Sequence, residues 1–151
     1  MKTIVLGAGL VGGPMALDLA QDQTLNVTVA DISEKALQAL AQQNPEIQTQ
    51  TADLSQPEKV KELVKDFDLV LNAVPGFMGF ETLKAIIEAG KNVVDIAFCP
   101  ENTLELDALA KKHNVTAIVD CGVAPGMSNI LTGYVYYQMD KTDVALTYVG
   151  G

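Results

Sequence analysis

Three glycines near the N-terminus follow the spacing G-x-G-x-x-G: Gly7, Gly9 and Gly12. An apolar run typical of a β-strand precedes them, and apolar residues at helical spacing follow. Glycine allows a tight turn, lets the backbone approach a pyrophosphate, and lets a helix pack closely on a strand. The pattern predicts a dinucleotide phosphate site at the start of a helix, formed by Gly7, Gly9, Leu10, Val11 and Gly12. A plain glycine-rich turn is the alternative.

A single acidic residue suits the ribose of the same ligand. Asp31 ends the second apolar run, 19 residues after Gly12. A carboxylate at this point accepts hydrogen bonds from both ribose hydroxyls and repels a 2′-phosphate. Ile32 follows directly and belongs to the same predicted site, and no arginine stands beside it. We therefore predict NAD rather than NADP as the cofactor. The alternative for Asp31 is a capping or strand-end role.

Two further segments are predicted to line the cofactor cleft. Asp53 follows the third strand candidate, Ile47–Thr51, which is more polar than the others, as an outer strand would be. A carboxylate there can accept a hydrogen bond from the adenine amino group, although capping of the next helix explains it equally well. The end of the fourth run is predicted to line the cleft with its backbone, at the point where the strand order reverses. This segment consists of Ala73, Val74 and Pro75.

Six strand candidates, all but the third of them apolar, alternate with segments of helical period, and this alternation places the residues named above on one fold. The alternation predicts an α/β, doubly wound Rossmann fold with a six-stranded parallel sheet of order 3-2-1-4-5-6. Ser33 is predicted to cap the second helix, and a capping box at Ser55 to open the third. The fourth helix is expected from about Phe80. The first helix is expected to begin at Leu10, which would place Pro14 at its fifth position and open the first turn slightly.

The C-terminal part continues with an expected helix at Met127–Met139 and an expected strand at Asp143–Val149. An apolar strand with an exposed edge invites pairing with another chain. We therefore expect a homodimer.

Composition excludes several classes of protein. The formal charge of −9 disfavours nucleic acid as a partner, because an acidic surface repels phosphates. No apolar stretch is long enough for a membrane span, and the N-terminus has no signal-peptide features, so we predict a cytoplasmic protein. Cys99 and Cys121 are expected to be reduced, and with His113 they form no recognisable metal site.

The segment DCGVAPGMSNILTGY at residues 120–134, with YVGG at the C-terminus, resembles the saccharopine dehydrogenase family, and most of all its lysine 6-dehydrogenase type. The resemblance extends over essentially the whole chain. It implies an oxidoreductase that transfers hydride between nicotinamide and a C–N bond of a lysine- or saccharopine-like amino acid. It also implies that residues 1–139 form the dinucleotide-binding domain. Residues 140–151 would begin a substrate and dimerisation domain that is otherwise missing, so the chain alone is expected to be inactive.

No catalytic residue is assigned. Asp95 and Asp120 can orient an ammonium group or cap a loop, and Cys121 can contact a ligand or simply pack. Two other functions stay open. One is an NADP-dependent reductase of the saccharopine or carboxynorspermidine type. The other is a non-catalytic regulatory domain that senses NAD, a class that the loop GVAPGM at residues 122–127 disfavours.

Overall fold

Strands and helices alternate along residues 1–150, the part of the chain that the computed structural model describes. The strands are β1 (Lys2–Leu6), β2 (Asn26–Asp31), β3 (Gln48–Thr51), β4 (Leu69–Asn72), β5 (Asn92–Asp95) and β6 (Ala117–Ile118). The helices are α1 (Gly12–Leu19), α2 (Glu34–Gln43), α3 (Pro57–Val64), α4 (Gly76–Glu88), α5 (Asp107–His113) and α6 (Met127–Tyr137). A 3₁₀ helix at Thr103–Leu106 precedes α5.

The strands form one parallel sheet in the order β3-β2-β1-β4-β5-β6, which confirms the predicted fold class. Residues Thr3–Leu6 of the central strand β1 are buried, as a strand covered by helices on both faces must be. The edge strand β3 is polar and exposed at every position, because only one neighbour covers it. The chain crosses from β3 back to β4 beside β1, so the strand order reverses between β1 and β4.

Two apolar clusters fill the space between the sheet and its two helical layers. The cluster on one face includes Leu37 and Leu40 of α2 and Ala16 of α1. The cluster on the other face brings α3, α4 and α5 onto the sheet, with buried Val60, Leu83 and Ile86 among its members. All parallel strands end at the same edge of such a sheet, which we call the carboxyl edge. The residues with predicted chemistry follow these strand ends.

Three predicted helix starts differ from the structure. The helix α1 begins at Gly12, so the missing N–H of Pro14 falls in the first turn, where no intrahelical partner is needed, and no opened turn results. The helix α4 begins at Gly76 rather than near Phe80. Ser55 does not cap α3, which begins at Pro57 after Gln56. Ser33 does cap α2, since its Oγ accepts a hydrogen bond from the Ala36 N–H at 3.3 Å.

The predicted strand at Asp143–Val149 was wrong. Residues 144–150 have no regular secondary structure, because no strand among residues 1–150 lies beside them to exchange backbone hydrogen bonds. The preceding helix α6 is present and ends two residues earlier than expected. Among residues 1–150, none of the helices combines the length and apolar character that a membrane crossing needs.

Candidate dinucleotide-binding site

The glycine loop connects β1 to α1 at the point where the strand order reverses. Gly7 has φ +108°, a conformation that favours glycine, and a Cβ there would stand 2.7 Å from the Ala73 carbonyl oxygen. A Cβ at Gly12 would stand 2.1 Å from the Gly7 carbonyl oxygen. Both positions therefore require glycine for the protein's own backbone. Gly9 differs, because a Cβ there would meet no atom of the described chain within 4 Å.

Gly9 lies shortly before the start of α1 at Gly12. The first turn of a helix leaves backbone N–H groups without intrahelical partners, and the helix dipole makes this end positive. Leu10 is 98% exposed and Val11 is 56% exposed, so both side chains are more exposed than buried. The loop can thus accept a phosphate group against its backbone, which is how a dinucleotide pyrophosphate is held in this fold.

Asp31 lies at the end of β2 and is bonded to the glycine loop. Its Oδ2 accepts a hydrogen bond from the Ala8 N–H at 2.7 Å, and its Oδ1 accepts one from the Ser33 N–H at 2.7 Å. Each carboxylate oxygen has a further lone pair that can accept from a ribose hydroxyl. Ile32, the next residue, is exposed. The structure therefore brings Asp31 and the glycine loop together.

The carboxylate of Asp53 has local partners. It accepts hydrogen bonds from the Ser55 Oγ at 2.6 Å, the Ser55 N–H at 3.1 Å and the Gln56 Nε2 at 2.7 Å. These bonds, led by the one from the Ser55 hydroxyl, lower the pKa of Asp53. Asp53 therefore bonds the loop before α3 and does not cap that helix, whose N-cap residue is Gln56. A contact between Asp53 and adenine stays a prediction.

The segment from Ala73 to Pro75 lies beside the glycine loop, across the gap between β1 and β4. The Ala73 N–H donates to the Leu6 carbonyl at 3.0 Å, and the Ala73 carbonyl faces Gly7. Val74 is buried in the core, while Pro75 is exposed and precedes α4. The backbone of residues 73–75 thus lies beside the glycine loop, and its contact with a cofactor stays a prediction.

A buried polar pair joins the ends of β4 and β5. The Asn72 Nδ2 donates to the Asp95 Oδ2 at 2.7 Å, and the Ala97 N–H donates to the Asp95 Oδ1 at 2.7 Å. Asp95 is 2% exposed and Asn72 fully buried. Burial raises the pKa of Asp95 to about 6, against the hydrogen bonds from Asn72 and Ala97, which lower it; the nearby Asp120 raises it further.

Asn72 was missed from the sequence. The available signal was an amide at the end of the otherwise apolar strand Leu69–Asn72, since a buried polar side chain needs a partner. In the structure the Asn72 Oδ1 is buried without a hydrogen-bond partner among the described residues. The pair therefore has one acceptor left unused inside the sheet edge.

The loop after β6 also ends at this edge. The Cys121 N–H donates to the Asp95 carbonyl at 3.1 Å, which ties the loop to β5. Asp120 has φ +57° and is exposed, whereas Cys121 is half-buried. Burial, assisted by the nearby carboxylates of Asp95 and Asp120, raises the pKa of the Cys121 thiol, and burial does the same at Cys99. Both thiols thus stay protonated at neutral pH and are poor nucleophiles.

Comparison with known proteins identifies this arrangement. A family model described as "Saccharopine dehydrogenase NADP binding domain" matches residues 3–118. Saccharopine dehydrogenase [NADP(+), L-glutamate-forming] from Pyricularia oryzae is 28% identical over 157 residues, which cover 99% of this chain and 34% of that protein. The mitochondrial alpha-aminoadipic semialdehyde synthase of Mus musculus is 27% identical over 130 residues, which cover 86% of this chain and 14% of that protein. The chain thus spans about a third or less of these relatives.

Solved structures share the fold. Apo saccharopine dehydrogenase (L-Glu forming) from Saccharomyces cerevisiae superposes with a TM-score of 0.79 at 24% identity, covering 91% of this chain and 31% of that one. Biliverdin reductase from Synechocystis, in complex with biliverdin and NADP+, gives a TM-score of 0.68 at 19% identity, covering 91% of this chain and 42% of that one. At these identities the likeness concerns the fold alone.

Proposed function

Because this chain belongs to the saccharopine dehydrogenase family, as a dinucleotide-binding domain of that oxidoreductase type, we propose that its cofactor is NAD. The carboxylate of Asp31 carries this proposal. It is fixed by the Ala8 and Ser33 N–H groups at the end of β2, where a ribose lies in this fold. A 2′-phosphate at that point would meet a negative charge.

Cations are sparse in the sequence around Asp31. The sequence contains no arginine, and the nearest lysine in sequence, Lys35, lies in the first turn of α2 beside Glu34. The matching family model and the fungal relative are both named for NADP. The proposed preference for NAD therefore differs from the cofactor in those names. The remaining predicted contacts, including those of Leu10, Val11, Ile32 and Asp53, belong to the same proposal.

Titration of the protein with NADH and NADPH tests the proposal. We expect NADH to bind at least about tenfold more tightly, because a single unfavourable charge contact at the 2′-phosphate costs on the order of 1.4 kcal/mol. Asp31→Asn keeps an acceptor for the Ala8 N–H but removes the charge, so it should reduce the difference between the affinities for NADH and NADPH. Asp66→Asn, which removes an exposed carboxylate outside the predicted site, is the matched control and should leave the preference unchanged. Tighter binding of NADPH to the unaltered chain would refute the choice of NAD.

For the reaction, we propose hydride transfer between nicotinamide and a C–N bond of a lysine- or saccharopine-like amino acid. The family supports this substrate class, and the strand-six loop at residues 120–126 lies at the edge where the nicotinamide half of the cofactor would sit. We also propose that residues 1–139 form the cofactor domain, that residues from 140 onward begin a substrate domain, and that the protein acts in the cytoplasm.

Full-length protein should therefore reduce NAD when lysine, saccharopine or a related amino acid is added, as followed by absorbance of the reduced cofactor. The same assay on residues 1–151 should show no turnover, while the cofactor still binds. Turnover by residues 1–151 would contradict the proposal that catalysis needs the substrate domain in addition to the cofactor domain. Absence of turnover with every amine tested in the full-length protein, despite NADH binding, would favour the NAD-sensing alternative.

A further inference from the structure

Two phenylalanines lie exposed at the carboxyl edge. Phe77 is 84% exposed in the first turn of α4, directly after β4, and Phe98 is 75% exposed in the loop after β5. The other two phenylalanines of the chain, Phe67 and Phe80, are half-buried and pack against the core. Exposing a large aromatic side chain to water forfeits the gain from its burial. The two exposed rings therefore mark a surface that suits an apolar ligand.

The two rings come from segments that touch each other. A Cβ at Gly76 would stand 2.0 Å from the Phe98 carbonyl oxygen, so the backbone at the start of α4 lies directly against the backbone at Phe98. This contact fixes the residue before Phe77 against Phe98 itself. It also explains why α4 begins with a glycine, which the sequence alone did not suggest as a helix start.

Hydrogen bonds to Asp95 and Ala97 hold the loop that carries Phe98. Asp95 accepts the Ala97 N–H at 2.7 Å, and the Cys99 N–H donates to the Ala97 carbonyl at 3.1 Å. Asp95 is itself held by Asn72 at the end of β4. Asp95 thus acts as a positioning residue for the loop, linking it to the strand that precedes Phe77.

The position of the two rings along the carboxyl edge indicates which half of the dinucleotide they would contact. In a doubly wound sheet the dinucleotide crosses the crevice where the strand order reverses, here between β1 and β4. Asp31 lies at the end of β2 and so assigns the adenosine half to the β1–β2 side. The other half must then lie over β4 and β5. We infer that Phe77 and Phe98 form the apolar wall of the nicotinamide subsite, an inference that rests on the proposed cofactor function.

Comparison of NADH with ADP-ribose isolates this contact, because ADP-ribose contains the rest of the dinucleotide but lacks the nicotinamide ring. We expect Phe77→Ala and Phe98→Ala each to weaken NADH binding about five- to tenfold, the size of one aromatic contact. The affinity for ADP-ribose should change less than about twofold. Phe98→Leu should retain part of the NADH affinity, because it keeps an apolar side chain at the same point.

Leu104→Ala is the matched control, since Leu104 is also an exposed apolar residue, 72% exposed, but lies in the 3₁₀ helix before α5. It should alter neither affinity. Thermal unfolding should show that all these variants fold, because the side chains removed pack little in the protein. If NADH and ADP-ribose bind the unaltered chain and the phenylalanine variants alike, the subsite inference is overturned while the cofactor proposal stands. If the unaltered chain binds neither nucleotide, both fail.

Discussion

Gly9 and Gly12 belong to the same loop but have different surroundings. A Cβ at Gly12 would stand 2.1 Å from the Gly7 carbonyl oxygen, whereas a Cβ at Gly9 would enter open space. We expect Gly12→Ala to lower the free energy of unfolding by about 3 kcal/mol or more, because backbone must move to admit the methyl group. Gly9→Ala should leave the melting temperature nearly unchanged but weaken NADH binding at least about tenfold, because the methyl group occupies the pyrophosphate's approach.

Thermal unfolding and NADH titration measure the two effects separately. The control is Gly133→Ala in α6, a position where a Cβ also meets open space but which lies outside the glycine loop. It should keep the NADH affinity and gain up to about 1 kcal/mol in stability from helix propensity. Equal NADH affinity in Gly9→Ala and the unaltered protein would remove the argument that Gly9 faces the pyrophosphate.

Asp95 should make stability depend on pH. Burial raises its pKa from 3.8 to about 6, so the folded protein holds this proton more tightly than the unfolded chain does. The contribution of Asp95 to the free energy of unfolding should therefore be largest below about pH 4. It should fall by on the order of 3 kcal/mol as the pH rises to about 6. Asp120, Cys99 and Cys121 are the other titratable groups that interact with Asp95, and the nearby Asp120 carboxylate adds to the effect.

Urea unfolding between pH 4 and pH 8 measures this dependence. Asp95→Asn keeps an oxygen for the Ala97 N–H and leaves no charge to bury. Its amide N–H can donate to the Asn72 Oδ1 once the Asn72 amide rotates by 180°, because the Asn72 Nδ2 faces this position in the unaltered protein. It should be more stable than the unaltered protein at pH 8 and should have a shallower pH dependence. Asp66→Asn, at an exposed position, is the control and should follow the unaltered protein. An unchanged slope in Asp95→Asn would contradict the assignment.

At the scale of elements, Ser33 caps a helix whereas Ser55, which the sequence also predicted to do so, does not. The Ser33 Oγ accepts the Ala36 N–H at the start of α2, whereas the Ser55 Oγ donates to Asp53 and leaves α3 uncapped by a side chain. We expect Ser33→Ala to cost about 1 kcal/mol of unfolding free energy. Ser55→Ala, measured in the same urea titration, should cost less, because it removes only an exposed bond on the surface. Equal costs would contradict this assignment of the caps.

The six strands of the sheet were predictable from the sequence, while several helix starts were not. A buried parallel strand needs a run of apolar residues whatever its neighbours are, so β1 and β4 could be recognised locally. The start of α4 could not, because Gly76 is a poor helix former whose place is set by the Phe98 backbone from another part of the chain. The capping box at Ser55 failed for a related reason, since Asp53 competes for the same hydroxyl.

In the candidate site too, residues in a local sequence pattern could be predicted, and residues placed by contacts between distant segments could not. The glycine spacing and Asp31 could be predicted because the fold's phosphate turn imposes a local pattern on the sequence. Asn72 and the two exposed phenylalanines could not, since only the alignment of β4 with β5 places them together. The expected strand at Asp143–Val149 had a suitable apolar pattern but lacks a partner strand, and a strand is defined by pairing rather than by its own residues.

At the scale of the whole molecule, most of the large exposed apolar side chains lie in α6 and the segment that follows it. They include Ile130, Tyr134 and Tyr137 of α6 and, beyond the helix, Val144 and Tyr148. Apolar patches of this kind on the surface of a domain usually mark an interaction surface. We propose that two copies of the chain associate through this C-terminal surface, defined as residues 127–149.

Sedimentation over a range of concentrations should show reversible dimerisation. Added salt should strengthen it, because each copy carries a formal charge of −9 and the repulsion between copies is screened. Tyr134→Glu should weaken the dimer at least about tenfold, since it places a charge within an apolar contact. Leu104→Glu adds the same charge at an exposed apolar position outside this surface and should leave association unchanged. A strict monomer at high protein concentration and high salt would contradict the proposed dimer, because under those conditions neither dilution nor repulsion would oppose the apolar contact.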